Sequence, residues 1–407
     1  MPTREDILYF GAGPARLPTS VLTAASTSIL NHNSTGLGLT EHSHRSTLSS
    51  EILTGASNAL RQLLSVPDDY SIIFMQGGGT TQFSSVVYNL LGYWVQRELE
   101  KAEDLEAVRG KLRGAKIDYL VTGTWSQKAS EEASRLVGEE MVNVAADAKA
   151  VGGGKYGKIP EESAWVLTEK EKSIFTYYCD NETVDGVEFP NFPMALGDGA
   201  ERLVVCDMSS NILSRKVDVR KYALIFAGAQ KNVGTTGLTL VILRNDILTR
   251  QPTLKTLRSL GLPIQPIMMD YKTIAKNGSL YNTLPIFDVW VAGEVMKELV
   301  TAGGIETQEA VSGRKSDKLY ATLEASPKLF QIVPMQGSRS RMNICVRILG
   351  EGLEKEFAAL AEAQGMTGLK GHRSVGGIRV SNYNSISEAA VDKLVMFIEA
   401  FAVAHSV

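Results

Sequence analysis

The sequence predicts an α/β protein in which helices cover a mostly parallel sheet and a smaller α+β domain follows at the C-terminal end. Two observations support this fold class. Through the middle of the chain, short β-branched runs alternate with longer amphipathic stretches, as βα units around a parallel sheet do. Beyond about residue 300 the pattern changes to long helical stretches interleaved with β segments at 342–349 and 377–381.

Six apolar runs are the candidate strands of the main sheet. They are short, they are rich in residues that favour strands, and stretches of helical periodicity separate several of them. The runs cover residues 70–75, 117–122, 174–178, 202–206, 222–227 and 238–243.

Helices are predicted after two of these strands and at the end of the chain. Thr80 and Thr81 are placed to cap the helix that follows the first strand, and Ser126 is a natural N-cap for a second helix. Apolar residues recur at helical spacing from Val391 to Ile398, which predicts a last helix in the core. The charged stretch 99–113 is interpreted as a surface insertion.

Length and composition limit the class of protein. The chain has 407 residues, 44% hydrophobic and 21% charged, which is typical of a folded protein with two or three domains. The formal net charge of −3 gives no sign of a nucleic-acid partner. Three cysteines without a Cys-x-x-Cys spacing indicate a reducing compartment. Since no apolar run approaches the about 18 residues that span a bilayer, and no secretory signal is recognised, we expect a cytoplasmic protein.

Several classes of site lack their sequence motifs. Residues 11–16 have two glycines of a dinucleotide fingerprint but not the third, and neither a P-loop motif nor the Gly-x-Ser-x-Gly of serine hydrolases occurs. His42 and His44 could share one face of a strand, but no third ligand lies near them at a recognisable metal spacing. We therefore expect no metal site.

Three other features point to one cofactor. Residues 76–82, Gln-Gly-Gly-Gly-Thr-Thr-Gln, join a strand to a helix and predict a phosphate site at the helix N-terminus. Asp207 follows a strand whose carboxyl end faces the ligand crevice of an open α/β sheet. Lys231 lies between two apolar strands, where burial lowers the pKa of its amine and favours Schiff-base chemistry. Pyridoxal phosphate needs this combination, and Trp125 is placed to stack on its ring.

Eight segments, in order along nearly the whole chain, carry a family resemblance: Ser43-His44-Arg45, Gln76-Gly77-Gly78-Gly79, Asn181-Glu182-Thr183-Val184-Asp185-Gly186, Asp207-Met208-Ser209-Ser210, Gly228-Ala229-Gln230-Lys231-Asn232, Tyr281-Asn282-Thr283, Arg339-Ser340-Arg341-Met342-Asn343 and Gly371-His372-Arg373. With these segments the chain resembles the phosphoserine aminotransferases, which are class V enzymes of fold-type I that depend on pyridoxal 5'-phosphate. The resemblance implies a seven-stranded sheet, a large cofactor-binding domain at 17–300, and a small domain made of 1–16 plus 301–407.

The resemblance also implies a role for each site residue. Lys231 would hold the cofactor and move the substrate Cα proton, Asp207 would keep the ring nitrogen protonated, and Trp125 would stack on the ring. Thr183 resembles the hydroxyl that lies near the cofactor's phenolic oxygen. The remaining cofactor contacts are phosphate contacts, made by Gly79, Thr80 and Gln230 and, from the partner subunit of a homodimer with shared active sites, by Asn282 and Thr283.

The implied reaction moves the amino group of L-glutamate to 3-phosphohydroxypyruvate, giving O-phospho-L-serine and 2-oxoglutarate in L-serine biosynthesis. Two His-Arg pairs, at positions 44–45 and 372–373, suit a substrate phosphate dianion. Arg379 resembles the fork that binds the substrate α-carboxylate. Bacterial members typically carry arginine where this chain has Thr80, so one contact to the substrate phosphate is missing.

Two alternatives remain open. Another class V aminotransferase, such as an alanine- or serine-glyoxylate aminotransferase, would have no need for paired His-Arg contacts to a dianion. A non-catalytic phosphoanion-binding protein on the same fold would have no need for Lys231 and Asp207. A cysteine desulfurase fits poorly, because Cys345 lies inside a predicted strand.

Overall fold

The computed structural model describes residues 2–102, 104–199 and 201–405. Its strands are β1 (Leu8–Tyr9), β2 (Tyr70–Met75), β3 (Lys116–Val121), β4 (Val142–Asp147), β5 (Ser173–Cys179), β6 (Asn181–Glu182), β7 (Val187–Glu188), β8 (Val204–Asp207), β9 (Leu224–Gly228), β10 (Thr239–Arg244), β11 (Phe330–Ile332), β12 (Asn343–Ile348), β13 (Met366–Thr367) and β14 (Ile378–Ser381). Its α-helices are α1 (Thr19–Leu30), α2 (Thr47–Leu64), α3 (Gly78–Leu99), α4 (Leu105–Leu112), α5 (Thr124–Val137), α6 (Ala148–Val151), α7 (Asn245–Thr249), α8 (Leu254–Ser259), α9 (Tyr271–Lys276), α10 (Ile286–Thr301), α11 (Gly304–Glu324), α12 (Leu353–Ala363) and α13 (Glu388–Ala404).

The central sheet has seven strands in the order β2-β10-β9-β8-β5-β3-β4. Strand β10 runs antiparallel to both of its neighbours, and the other pairs are parallel, so six strands point the same way. This confirms the predicted α/β fold class and its mostly parallel sheet. The six predicted strands are all present, with ends shifted by at most two residues, and β4 was not predicted.

Helices cover both faces of this sheet because alternate strand residues point to opposite sides. Phe74 and Tyr178 pack into the core beneath α2 and α10. Ile73 and Tyr177 pack into the core beneath α3, α5 and α9. Burial on both faces explains why the strands read as continuous apolar runs.

The C-terminal part of the chain builds a separate core around the antiparallel sheet β11-β12-β14. Strand β1 pairs with β13, and Phe10 is fully buried in the same core, so the N-terminal segment packs with the C-terminal part. The division into 17–300 and 1–16 plus 301–407 remains our proposal. Positions 1, 406 and 407 of the proposed small domain lie outside the described residues.

Two predicted helix starts were wrong, and glycine explains both. Helix α3 begins at Gly78 with Gly77 as its N-cap, so Thr80 and Thr81 lie inside its first turn. Helix α5 begins at Thr124 with Gly123 as its N-cap, and Ser126 is its third residue. In both places a glycine occupies the N-cap position, and the helix begins at least three residues earlier than the hydroxyl residues predicted.

The charged stretch lies largely at the surface, as the sequence indicated. Within the charged stretch, residue 103 lies outside the described part. Helix α4 buries Val108 and packs Leu105 and Leu112 against the core, and most of its other residues are exposed. The glycine-rich excursion at 151–171 has little regular structure. Among the described residues, no helix is both long and apolar enough to cross a bilayer.

Candidate active site

A cavity of about 200 Å³ lies where the six parallel strands end. Its walls come from the starts of α3 and α5 and from the segments that follow β5, β8 and β9. The predicted residues that line it are Gly79, Thr80, Trp125, Thr183, Asp207, Gln230 and Lys231. Seven residues spread over about 150 positions of sequence therefore meet in one place.

The glycine loop presents the N-terminus of α3 to this cavity. Gly77 has φ +99°, and a Cβ there would lie 2.2 Å from the Thr81 hydroxyl oxygen, so this position requires glycine. The first amides of a helix have no partner within the helix, and those of Gly79 and Thr80 belong to this group. The helix dipole adds positive potential at the same end, which suits a phosphate.

Asp207 ends strand β8 and is 5% exposed. The backbone amide of Ser209 donates to its Oδ1 at 2.8 Å. Its Oδ2 lies 3.7 Å from the place where a Cβ on Gly79 would stand, so this oxygen faces the glycine loop. Burial raises the pKa of the Asp207 carboxyl, and the hydrogen bonds from Ser209 oppose that rise.

Lys231 lies between β9 and β10, as the sequence predicted, and its amine points into the cavity. Its Nζ donates to the hydroxyl of Thr183 at 2.6 Å and lies 6.0 Å from the centre of the Trp125 ring. Burial lowers the pKa of the Lys231 amine, and the Asp207 carboxylate opposes that change. An amine of lowered pKa is a better nucleophile near neutral pH.

A larger cleft of about 660 Å³ lies beside this cavity, between the two cores. His372 and Arg379 line it, and Arg379 donates to the Thr183 carbonyl at 3.2 Å. Burial lowers the pKa of His372, and the positive charges of Arg379, Arg373 and Lys128 lower it further. Of these groups, Arg379 lies close enough to Lys231 for its positive charge to lower the pKa of the Lys231 amine further.

Five predicted residues do not line these cavities in their own chain. One of them is Arg373, which is exposed and lies near His372. His44 and Arg45 form a side-chain hydrogen bond of 3.3 Å with each other, and both cavities lie elsewhere. Asn282 donates to the side chain of Gln76, beside the glycine loop but outside the cavity wall, and Thr283 is exposed. The contacts of Asn282 and Thr283 with the cofactor of a partner subunit stay predictions, and so do the contacts of His44 and Arg45 with the substrate phosphate.

The cavity also contains residues that received no individual role from the sequence. Phe83, Cys179, Asn181, Ser209 and Ser210 line it. The Ser209 hydroxyl accepts from the amide of Gly228 at 3.0 Å and thereby joins β8 to the segment that carries Lys231. The local signal of this contact is a pair of serines, Ser209 and Ser210, that follows the strand-end carboxylate after one intervening residue.

Comparison with known proteins extends over nearly the whole chain. The model of the class V aminotransferase family matches residues 7–394. The chain is 44% identical to the phosphoserine aminotransferase of Saccharomyces cerevisiae over 402 residues, which covers 98% of each sequence. The phosphoserine aminotransferase of Bacillus circulans subsp. alkalophilus matches with a TM-score of 0.84 at 34% identity, covering 98% of both chains. The pyridoxal-phosphate-bound phosphoserine aminotransferase of Trichomonas vaginalis matches with a TM-score of 0.81 at 33% identity, covering 96% of this chain and 99% of that one.

Proposed function

This chain belongs to the class V aminotransferase family, and from that membership we propose that it transfers the amino group of L-glutamate to 3-phosphohydroxypyruvate. The products are O-phospho-L-serine and 2-oxoglutarate, and the reaction is a step of L-serine biosynthesis. One observation carries the proposal: the Lys231 amine and the Asp207 carboxylate share a cavity that adjoins a cleft lined by His372 and Arg379, with the guanidinium of Arg373 near His372.

The residues present fit pyridoxal 5'-phosphate as the cofactor. Free amides at the start of α3, with the side chain of Gln230, suit its phosphate. The carboxylate of Asp207 suits a protonated ring nitrogen, and the flat face of Trp125 suits the ring itself. Bound pyridoxal phosphate supplies an electron sink and carries the amino group from one substrate to the other.

The chain's own residues orient the substrate and move its proton. Lys231 would take the proton from the substrate Cα and hold it on its amine for return. Its hydrogen bond to Thr183 fixes the direction of the amine, and its lowered pKa leaves more of the amine uncharged to accept that proton. Thr183 also holds Arg379 through its carbonyl, which links proton transfer to substrate binding.

Substrate recognition rests on charge. Arg379 is placed to bind the α-carboxylate that both substrates carry, because it reaches from the small core toward Thr183. His372 and Arg373 are then left for the second anionic group. A guanidinium forms two parallel hydrogen bonds with carboxylate or phosphate oxygens, and such charge-assisted bonds are the strong ones.

We further propose a homodimer with shared active sites. His44, Arg45, Asn282 and Thr283 lie outside the cavities of their own chain, so contacts from them to cofactor or substrate phosphate require a second copy. A location in the cytoplasm also stays a prediction, supported by three buried cysteines that form no disulfide.

The test compares amino-group acceptors. Purified enzyme loaded with pyridoxal phosphate is given L-glutamate and either 3-phosphohydroxypyruvate, pyruvate or glyoxylate, and 2-oxoglutarate is measured. We expect rapid turnover with the phosphorylated acceptor and little with the other two. A preference for glyoxylate would favour the glyoxylate aminotransferases instead, and no product with any acceptor would favour a non-catalytic phosphoanion-binding protein.

A further inference from the structure

Glu182 is a fully buried carboxylate at the start of helix α5. Its Oε2 accepts from the backbone amide of Trp125 at 2.8 Å. Its Oε1 accepts from the amide of Ser126 at 2.9 Å and from the hydroxyl of Ser126 at 2.6 Å. Both oxygens are therefore occupied, and one of them holds the backbone of the residue whose ring faces the cavity.

Glu182 also directly precedes Thr183, the residue that receives the hydrogen bond from Lys231. One side chain thus joins two walls of the cavity: the wall that carries the Trp125 ring and the wall that carries the Thr183 hydroxyl. These walls follow different strands, β3 and β5, so no short stretch of backbone fixes their separation.

The surroundings leave this link little freedom. A Cβ on Gly123 would lie 2.4 Å from the Cδ of Glu182, so the helix start approaches the carboxylate as closely as glycine permits. On the other side, Gly186 has φ +71°, and a Cβ there would lie 2.8 Å from the Asn343 carbonyl oxygen. The segment 182–186 is held between α5 and the small core.

A second carboxylate at the same helix start provides a natural control. Oδ2 of Asp185 accepts from the amide of Thr124 at 2.9 Å. Both acids accept hydrogen bonds from first-turn amides of the helix. Only Glu182 bonds to the amide of Trp125, so the two side chains share the capping role and differ in their contact with the ring-bearing residue.

We propose that Glu182 is a positioning residue, which fixes the Trp125 ring relative to Thr183 and Lys231 and thereby sets the affinity for the cofactor. This inference rests on the proposed function, since it takes the ring to be a surface for pyridoxal phosphate. Glu182 itself acts through Trp125 and touches neither cofactor nor substrate.

The test compares Glu182→Gln with Asp185→Asn. Each variant keeps the size of its side chain and replaces one carboxyl oxygen with an NH₂ group at the same helix start. The glutamine has a single acceptor oxygen, so its NH₂ group must face the amide of Trp125 or of Ser126. Cofactor is removed from wild type and variants, and the dissociation constant for pyridoxal phosphate is measured by equilibrium dialysis, together with the melting temperature of each apoprotein.

We expect both variants to lower the melting temperature by similar amounts. Glu182→Gln should also weaken pyridoxal phosphate binding about 10-fold or more and alter the visible circular dichroism of the bound cofactor, because a displaced ring loses contact. Asp185→Asn should leave the dissociation constant and the spectrum close to wild type. Equal affinity in wild type and Glu182→Gln, or equal losses in both variants, would overturn the positioning role.

A double-mutant cycle tests whether the effect passes through the ring. In a Trp125→Ala background, Glu182→Gln should change cofactor affinity very little, because the positioned group is gone. Additive losses would contradict the proposal.

If Glu182→Gln does not fold, amide hydrogen exchange of the wild-type apoprotein remains decisive. The amides of Trp125 and Ser126 should exchange far more slowly than the first-turn amides of α1, which has no side-chain cap. Equally fast exchange would overturn the link. A wild type that binds no pyridoxal phosphate would instead refute the proposed function, so the two failures are distinguishable.

Discussion

Replacing Asp207 with Asn should lower catalysis sharply while leaving the apoprotein no less stable. Ser209 occupies Oδ1 of the carboxylate and leaves Oδ2 facing the cavity. An asparagine that keeps its carbonyl toward Ser209 turns its NH₂ group toward the cavity, where a protonated ring nitrogen needs an acceptor. The substitution therefore removes a charge-assisted hydrogen bond and replaces it with two opposed donors.

The expected fall in kcat/KM follows from the loss of that hydrogen bond. Hydrogen bonds to charged groups contribute about 1.5 to 3 kcal/mol, so kcat/KM for O-phospho-L-serine should fall by roughly 10- to 150-fold or more. Stability should respond in the other direction. Burial raises the folded-state pKa of Asp207, so its ionised form costs stability once the pH exceeds that pKa, and a neutral amide carries no such cost.

The assay combines single-turnover kinetics of the loaded enzyme with thermal melts of the cofactor-free protein. We expect slow half-reactions together with a melting temperature at or above that of the wild type. Unchanged kinetics would remove Asp207 from the mechanism. A much lower melting temperature would show that Asp207 serves the fold, and the loss of activity would then say nothing about the ring nitrogen.

Three further predictions concern the substrate cluster, the dimer and the pH dependence of stability. Arg373→Ala should lower kcat/KM for O-phospho-L-serine by roughly 10- to 150-fold and affect L-glutamate far less; equal losses would contradict a phosphate site. Mixed subunits of inactive Lys231→Ala and Thr283→Arg should regain activity as they exchange, whereas full activity of a monomer in sedimentation analysis would exclude shared sites. Burial raises the pKa of the Glu182 carboxyl from 4.5 to about 8. The protonated side chain therefore stabilises the fold fully below pH 4.5, and this stabilisation is lost as the pH rises through about 8. Urea denaturation across this range should show a slope that Glu182→Gln lacks, of at most about 1.4 kcal/mol per pH unit.

Most of the fold was predictable because each buried parallel strand is a short run of apolar residues in the sequence. Strand β4 (Val142–Asp147) escaped because it lies at the sheet edge and only Ala145 and Ala146 are buried in it. The helix starts at Gly78 and Thr124 were misplaced because hydroxyl residues were taken as caps. The glycines that precede both helices permit closer turns, and the sequence does not show which solution the backbone takes.

Some residues of the candidate site could be predicted from the sequence, and others could not. Asp207 and Lys231 follow strands, and the topology of a parallel sheet brings strand ends together, so their meeting could be inferred from order alone. Trp125 could be placed beside them for the same reason. Glu182 could not, because its role depends on a contact across 57 positions with the backbone of Trp125. A buried acid that serves backbone amides has the same local sequence signal as any acid in a turn.

The half-reaction of the pyridoxal form with single amino acids tests the proposed reaction most directly. O-Phospho-L-serine and L-glutamate should each convert the enzyme to its pyridoxamine form, seen as loss of the visible absorption band. L-Alanine and L-serine should react far more slowly, because they offer no second anionic group to Arg373 and the adjacent His372. Faster conversion by L-alanine than by O-phospho-L-serine would contradict both the phosphate site and the proposed reaction.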